Sequence, residues 1–160
     1  MVSGGIIALL FICGGLCTVL PFVAKAVFKA KNRDVNTSSF FIGCGVFILF
    51  ALILEQLLHS VMLPIVGKST VMYVIYGIFA AGIFEETGRF AAFKTVMKDR
   101  NDPKEAVMFG LGHGGAEAIL LAGLSLLSTA LTAVMLNNIG FEELIAMSSG
   151  GNAETAELVH

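Results

Sequence analysis

The stretch that decides the fold class is VMYVIYGIFAAGIFEETGRFAAF, residues 71–93, an apolar run interrupted by Glu85, Glu86 and Arg89. Its length exceeds the ~20 residues that a helix needs to cross the hydrocarbon core of a bilayer. Because lipid offers no hydrogen bonds to backbone groups, a continuous apolar run favours a membrane-spanning α-helix over a strand. The stretch predicts an all-α membrane protein and raises the question of why two carboxylates and a guanidinium lie inside it.

The composition of the whole chain supports the same class. Of its 160 residues, 56% are hydrophobic and 14% are charged, whereas soluble domains have roughly 45–50% apolar and about 25% charged residues. The net charge of −2 gives no overall basic field, so we expect membrane lipids rather than nucleic acid as partners. Cys13, Cys17 and Cys44 lie in apolar runs, and an odd number of such thiols does not indicate a disulfide framework.

Four runs are long enough to span a membrane, so we predict a polytopic transmembrane helical bundle in residues 1–136, with spans at 4–24, 40–63, 71–93 and 106–136. The first run lacks the basic start and short apolar core of a signal peptide, and we expect it to be retained. The acidic residues 137–160 are predicted to be an extracytoplasmic loop or tail, with FEELIAM as a short interfacial helix before a flexible segment. Because no span follows this segment, we expect the chain to be the N-terminal part of a larger bundle.

The orientation is predicted from the basic residues of the connecting segments. Four basic residues follow the first span and four follow the third, whereas the segment after the second span has only Lys68 and the tail has none. Short segments rich in Lys and Arg remain on the cytoplasmic side. We therefore expect a multi-pass protein of the cell membrane with its N-terminus outside.

Ionisable residues within apolar spans are costly and are candidates for function. The chain has three such groups: Glu55 with His59, Glu85 and Glu86 with Arg89, and His113 with Glu117. Glu86 and His113 each lie eight residues from the cytoplasmic end of their span, ~12 Å at helical rise, so they are predicted to be level on sequential antiparallel helices. His59 lies ~28 Å along its span, and we interpret the Glu55–His59 pair as a packing or interfacial pair far from the others.

The charges of this region suggest a metal site. Arg89 can pair with Glu85 at i,i+4 or with Glu86 at i,i+3, which leaves one carboxylate to take up a proton or bind a cation. The imidazole of His113 is a good ligand for a divalent metal, and a metal with an open water position performs hydrolysis. Glu117 lies at i,i+4 from His113, on the same helix face, and is a candidate supporting group.

Two motifs resemble those of a known family. EETGR at 85–89 and FGLGH at 109–113 resemble the first two motifs of the CAAX-protease and bacteriocin-processing superfamily, and the continuation HGGAEAI is similar to its YhfC-type branch. The resemblance implies a zinc-dependent intramembrane metalloprotease that hydrolyses peptide bonds, acting on a membrane-associated peptide or protein. It implies Glu85, Glu86, Arg89 and His113 as catalytic residues.

The chain departs from the superfamily pattern at two points. Only Thr87 and Gly88 separate the glutamate pair from the arginine, so we use i,i+4 geometry to assign Glu85 to Arg89 and leave Glu86 to bind the metal with His113. The third motif, which carries a histidine ligand, is missing, because the only later histidine is the terminal His160. The predicted site is therefore incomplete. The alternative is a non-enzymatic membrane protein, either a proton or solute pathway or a scaffold, since such proteins use the same residue types.

Overall fold

The computed structural model describes residues 1–148, and within them all regular structure is helical. In chain order the elements are α1 (Gly4–Lys31), α2 (Ser38–Phe47), the π-helical segment π1 (Ile48–Leu54), α3 (Glu55–Val66), α4 (Thr70–Lys94), α5 (Pro103–Glu117), the π-helical segment π2 (Ala118–Gly123), α6 (Leu124–Ile139) and α7 (Phe141–Ser148). The predicted all-α class is confirmed.

Capping residues in the sequence explain where several helices begin and end. The Ser69 side chain accepts a hydrogen bond from the backbone of Met72 at the start of α4, and Asp102 accepts one from the backbone of Lys104 at the start of α5. Such caps satisfy amide groups that have no partner within the helix. Gly140 ends α6 with φ of 85°, a left-handed backbone conformation that glycine adopts without steric cost.

Three helices are long and apolar enough to cross a membrane: Gly4–Lys31, Ser38–Val66 and Pro103–Ile139. They correspond to the first, second and fourth predicted spans, each longer than predicted. The prediction of four spans is corrected, because α4 does not qualify among the described residues. The helix itself is continuous, but Glu85, Glu86 and Arg89 in its C-terminal half lower its mean hydropathy.

Residues 19–119 form one compact unit, and the packing of α5 on α2 brings its functional residues together. Glycines allow the two helices to approach closely. A Cβ atom on Gly112 would lie 2.6 Å from the carbonyl carbon of Phe40, and one on Gly43 would lie 2.8 Å from the backbone nitrogen of His113. Phe40 and Met108 are fully buried beside this contact.

The first turn of α5 anchors the segment that follows α1. The buried Glu105 carboxylate accepts a hydrogen bond from the Asn36 backbone at 2.6 Å and another from the Ser39 hydroxyl. Arg100 donates to the same hydroxyl at 2.5 Å. Asp34 pairs with Lys104 at 3.0 Å, and this hydrogen bond lowers the pKa of Asp34. The polar contacts fix the start of α5 against the preceding segment.

The second compact unit contains residues 1–18 and the described residues after 119. Here the Val2 backbone exchanges hydrogen bonds of 2.8 and 2.7 Å with the side chain of Asn137. A Cβ atom on Gly14 would lie 2.8 Å from the Leu127 side chain, so this glycine allows α1 to approach α6. Helix α7 covers FEELIAM, and its predicted place at a membrane interface stays a prediction. The flexible segment predicted after it lies outside the described residues.

Candidate metal centre

Arg89 joins both glutamates of the EETGR motif on α4. Its guanidinium donates to Glu85 Oε2 at 2.5 Å and to Glu86 Oε1 at 2.6 Å. The spacing of four and three residues places both carboxylates on the side of the helix that faces Arg89. The sequence predicted that only one glutamate would use this arginine, whereas both do.

His113 on α5 lies next to Glu85, and this differs from the predicted pairing with Glu86. The Nε2 atom of His113 is 3.6 Å from Glu85 Oε2, a distance too long for a hydrogen bond. The Glu86 side chain is 71% exposed and lines a separate cavity with Ile78 and Phe79. Matching depth was therefore insufficient to identify the partner of His113, because rotation about the α4 axis turns Glu86 away.

Apolar groups hold the His113 imidazole in place. The residue is only 4% exposed, and its ring contacts Phe47 edge-on at 5.5 Å and Phe109 in a stacked arrangement at 6.0 Å between centroids. Neither ring nitrogen has a hydrogen-bond partner among the described residues. Since a buried polar atom without a partner costs roughly 1–3 kcal/mol, the geometry leaves both nitrogens available to a ligand.

Glu55 and His59 lie in a polar array with a third residue that the sequence did not single out. His59 Nε2 is 3.3 Å from Glu55 Oε1, and His59 Nδ1 is 2.7 Å from the hydroxyl of Tyr76 on α4. The interpretation of Glu55 and His59 as a packing or interfacial pair far from the other groups stays a prediction. The only signal in the sequence for Tyr76 was its polar group within an apolar run.

A cavity of about 360 Å³ opens beside His113. Phe93 and Phe109 supply apolar wall, and Arg89 and Glu117 supply polar groups. Glu117 follows His113 by four residues on α5 and lines the same cavity. Gly110 and Gly114 also line the cavity, and a Cβ atom on either would meet nothing within 4 Å. These two glycines are not required by packing, unlike Gly112 between them.

Within residues 1–148, no three His, Cys, Asp or Glu side chains lie close enough together to hold a metal ion. Glu85 and His113 are therefore a pair of candidate donors rather than a full set. The third histidine motif, which the resemblance implies, has no counterpart in this part of the chain. The one later histidine, His160, lies outside the described residues.

Comparisons with known proteins agree with the motifs. The model of the YhfC intramembrane metalloprotease family matches residues 16–159. The chain is 36% identical over 151 residues to the uncharacterized membrane protein YhfC of Bacillus subtilis (strain 168), an alignment that covers 91% of this chain and 58% of that protein. No solved structure matches. Together with its three long apolar helices, this match identifies a membrane protein that belongs to the YhfC intramembrane metalloprotease family.

Proposed function

We propose that the chain carries part of the active site of an intramembrane zinc metallopeptidase, which hydrolyses peptide bonds in membrane-associated peptides or proteins. The main support is the arrangement of His113, whose buried ring nitrogens have no hydrogen-bond partner among residues 1–148 and whose Nε2 is 3.6 Å from the Glu85 carboxylate. Membership of the YhfC family supports metal use. Kinship with the wider CAAX-protease superfamily stays a prediction from the motifs.

The residues fit a metal as a pair of donors. Imidazole nitrogen and carboxylate oxygen are both common zinc ligands, and catalytic zinc sites use three protein ligands and an exchangeable water. Glu85 and His113 would hold the ion from two neighbouring helices, and a third donor would complete the set. When bound, zinc supplies a water molecule that is acidic enough to act as a nucleophile near neutral pH.

The charge balance around this pair favours a bound cation. Glu117 lines the same cavity as His113, whereas Arg89 already pairs with both Glu85 and Glu86. Uncompensated carboxylates in an apolar environment are strongly disfavoured unless they gain a proton or a counter-charge. A divalent cation at Glu85 and His113 would provide that charge.

The other residues of the motif have distinct roles in this proposal. Arg89 orients the Glu85 carboxylate, and Glu86 shares that guanidinium from the exposed side of α4. Glu117 lines the cavity on the same helix as His113, where it is placed to accept or donate a proton next to a bound substrate. The proposal thus retains Glu85, Glu86, Arg89 and His113 as the catalytic residues. It assigns the metal-binding role to Glu85 instead of Glu86.

The cavity beside His113 is a suitable place for the substrate. Gly110 and Gly114 keep one wall free of side chains, which allows a peptide backbone to come close to the helix. The phenyl rings of Phe93 and Phe109 provide apolar surface for a hydrophobic side chain. We therefore propose an extended, apolar peptide segment as the bound substrate.

Zinc binding by adjacent glutamate variants tests the proposal. The chain in lipid nanodiscs is titrated with zinc against a chromophoric chelator, and wild type is expected to bind one equivalent, with Glu85 and His113 as protein donors and water at the remaining positions. Glu85→Gln and His113→Ala should lose this binding, whereas the matched variant Glu86→Gln should keep most of it, because Glu86 does not contact His113. Absence of stoichiometric zinc in wild type would favour the proton pathway or scaffold. Equal losses in the two glutamine variants would refute the assignment of Glu85.

A further inference from the structure

The direction of the hydrogen bond in the array of Glu55, His59 and Tyr76 follows from the chemistry of the side chains. A tyrosine hydroxyl remains protonated at neutral pH and can donate to His59 Nδ1, which is 2.7 Å away. A neutral imidazole that accepts at one nitrogen carries its proton on the other. The protonated Nε2 then lies 3.3 Å from Glu55 Oε1, so the array places an N–H group beside the Glu55 carboxyl group.

Simple helix packing does not account for a carboxylate at this position. Glu55 is 8% exposed, and the ionisable side chain in contact with it is the His59 imidazole, which is not a permanent cation. Apolar residues of similar volume usually stabilise a buried contact at least as well as a charged network does. A buried glutamate supported by a histidine and a tyrosine is therefore better explained by a requirement for negative charge.

The helix register brings this charge close to the candidate metal-binding pair. A Cβ atom on Gly88 would lie 2.8 Å from the Phe50 ring, and Tyr76 contacts His59, so α4 runs antiparallel to π1 and α3. Between these two contacts, Glu55 and Glu85 lie within about one helical turn, ~5 Å, of the same level.

We propose that Glu55, held by His59 and Tyr76, is a second carboxylate beside Glu85 and raises the affinity of the Glu85–His113 pair for a divalent cation. Two ionised carboxylates in an apolar region repel one another, and a cation near both removes that repulsion. His59 and Tyr76 act through Glu55 as positioning residues. Groups that contact metal ligands in this way fix the orientation of the ligands and tune their basicity. This inference rests on the proposed metal site.

The test uses the two tyrosines of the chain as a matched pair. Tyr76→Phe keeps the ring but removes the hydroxyl that contacts His59, whereas Tyr73→Phe makes the same change at a residue that is 52% exposed. Zinc affinity is measured for the full chain in nanodiscs by competition with a chelator. We expect Glu55→Gln to weaken zinc binding by about 10–100-fold and Tyr76→Phe by about tenfold, with Tyr73→Phe unchanged.

Two further measurements separate positioning from folding. Nitrogen-15 chemical shifts of His59 should report protonation at Nε2 in wild type and a mixed tautomer in Tyr76→Phe. If Glu55→Gln unfolds, Glu55→Asp provides the comparison, and it should recover part of the zinc affinity because it retains the charge. Variants that lose thermal stability but bind zinc as wild type does would reduce the array to a packing contact and overturn the inference.

The outcomes also distinguish this inference from the proposed function. If wild type binds zinc and Glu55→Gln binds it equally well, the role of Glu55 is refuted while the Glu85–His113 site stands. If wild type binds no zinc, the proposed metal site fails, and the role of Glu55 fails with it.

Discussion

Replacing Gly112 with alanine should separate α5 from α2 and displace His113. A Cβ atom at this position would lie 2.6 Å from the carbonyl carbon of Phe40 and 2.9 Å from its Cα atom. Both atoms belong to backbone, so no side-chain rotation can relieve the overlap. The neighbouring Gly110 is the matched control, because a Cβ atom there meets nothing within 4 Å.

Gly110→Ala and Gly112→Ala are expected to change the free energy of unfolding in opposite directions. In a helix interior alanine is favoured over glycine by up to ~1 kcal/mol, and Gly110→Ala should gain about that amount. Gly112→Ala gains the same propensity but overpacks a close helix contact, which costs about 3 kcal/mol at the upper end of the usual range. The net loss is about 2 kcal/mol, so the two variants should differ by about 3 kcal/mol in free energy of unfolding.

Unfolding by SDS in mixed micelles, followed by far-ultraviolet circular dichroism, measures this difference. Zinc affinity is measured on the same samples, and it should fall for Gly112→Ala because His113 is the adjacent residue. If Gly112→Ala is as stable as Gly110→Ala, the close approach of the two helices is not a determinant of the fold, and the explanation for this glycine is wrong.

Two further substitutions test the anchor of α5 and the cavity. Glu105→Ala should lower the free energy of unfolding by about 3 kcal/mol, because it leaves buried donors without their charged acceptor. The N-cap variant Asp102→Ala is the control and should lower it by only about 1 kcal/mol. Equal losses in SDS unfolding would contradict the role of the buried carboxylate. Gly114→Leu should fill the cavity without disturbing the fold. Cleavage of an apolar membrane peptide by the protein should then be abolished while zinc binding persists, and unimpaired cleavage would exclude this cavity as the substrate site.

The helical fold was predictable because long apolar runs admit few other states in a membrane. The ends of the helices were less predictable. Helix α1 continues to Lys31, beyond the predicted end at residue 24, because a helix can continue into polar residues once the apolar segment ends. The third predicted span was wrong for the opposite reason. The charged groups near Glu85 are held within a continuous helix, α4, yet they lower its mean hydropathy below that of the other long helices.

Within the candidate site, the sequence identified the residue types but not the side of the helix on which each side chain lies. Spacing correctly placed both glutamates within reach of Arg89. It could not show that Glu85 rather than Glu86 lies beside His113, because that depends on the rotation of α4 in the packed structure. The contact between His59 and Tyr76 was missed for a related reason, since it depends on the register between two helices that no local pattern encodes.

The π-helical segment π1 has a consequence for how this protein can change in evolution. It directly precedes Glu55, the first residue of α3, and π-helical turns occur mostly within α-helices, frequently at functional sites. Loss of one residue between 48 and 54 would shorten the helix by only ~1.5 Å but rotate everything after it by ~100°. The apolar length needed to cross a lipid layer would survive, while Glu55 and His59 would turn away from Tyr76. Selection for the site, rather than for the ability to cross a membrane, should therefore act against gain or loss of residues in this segment.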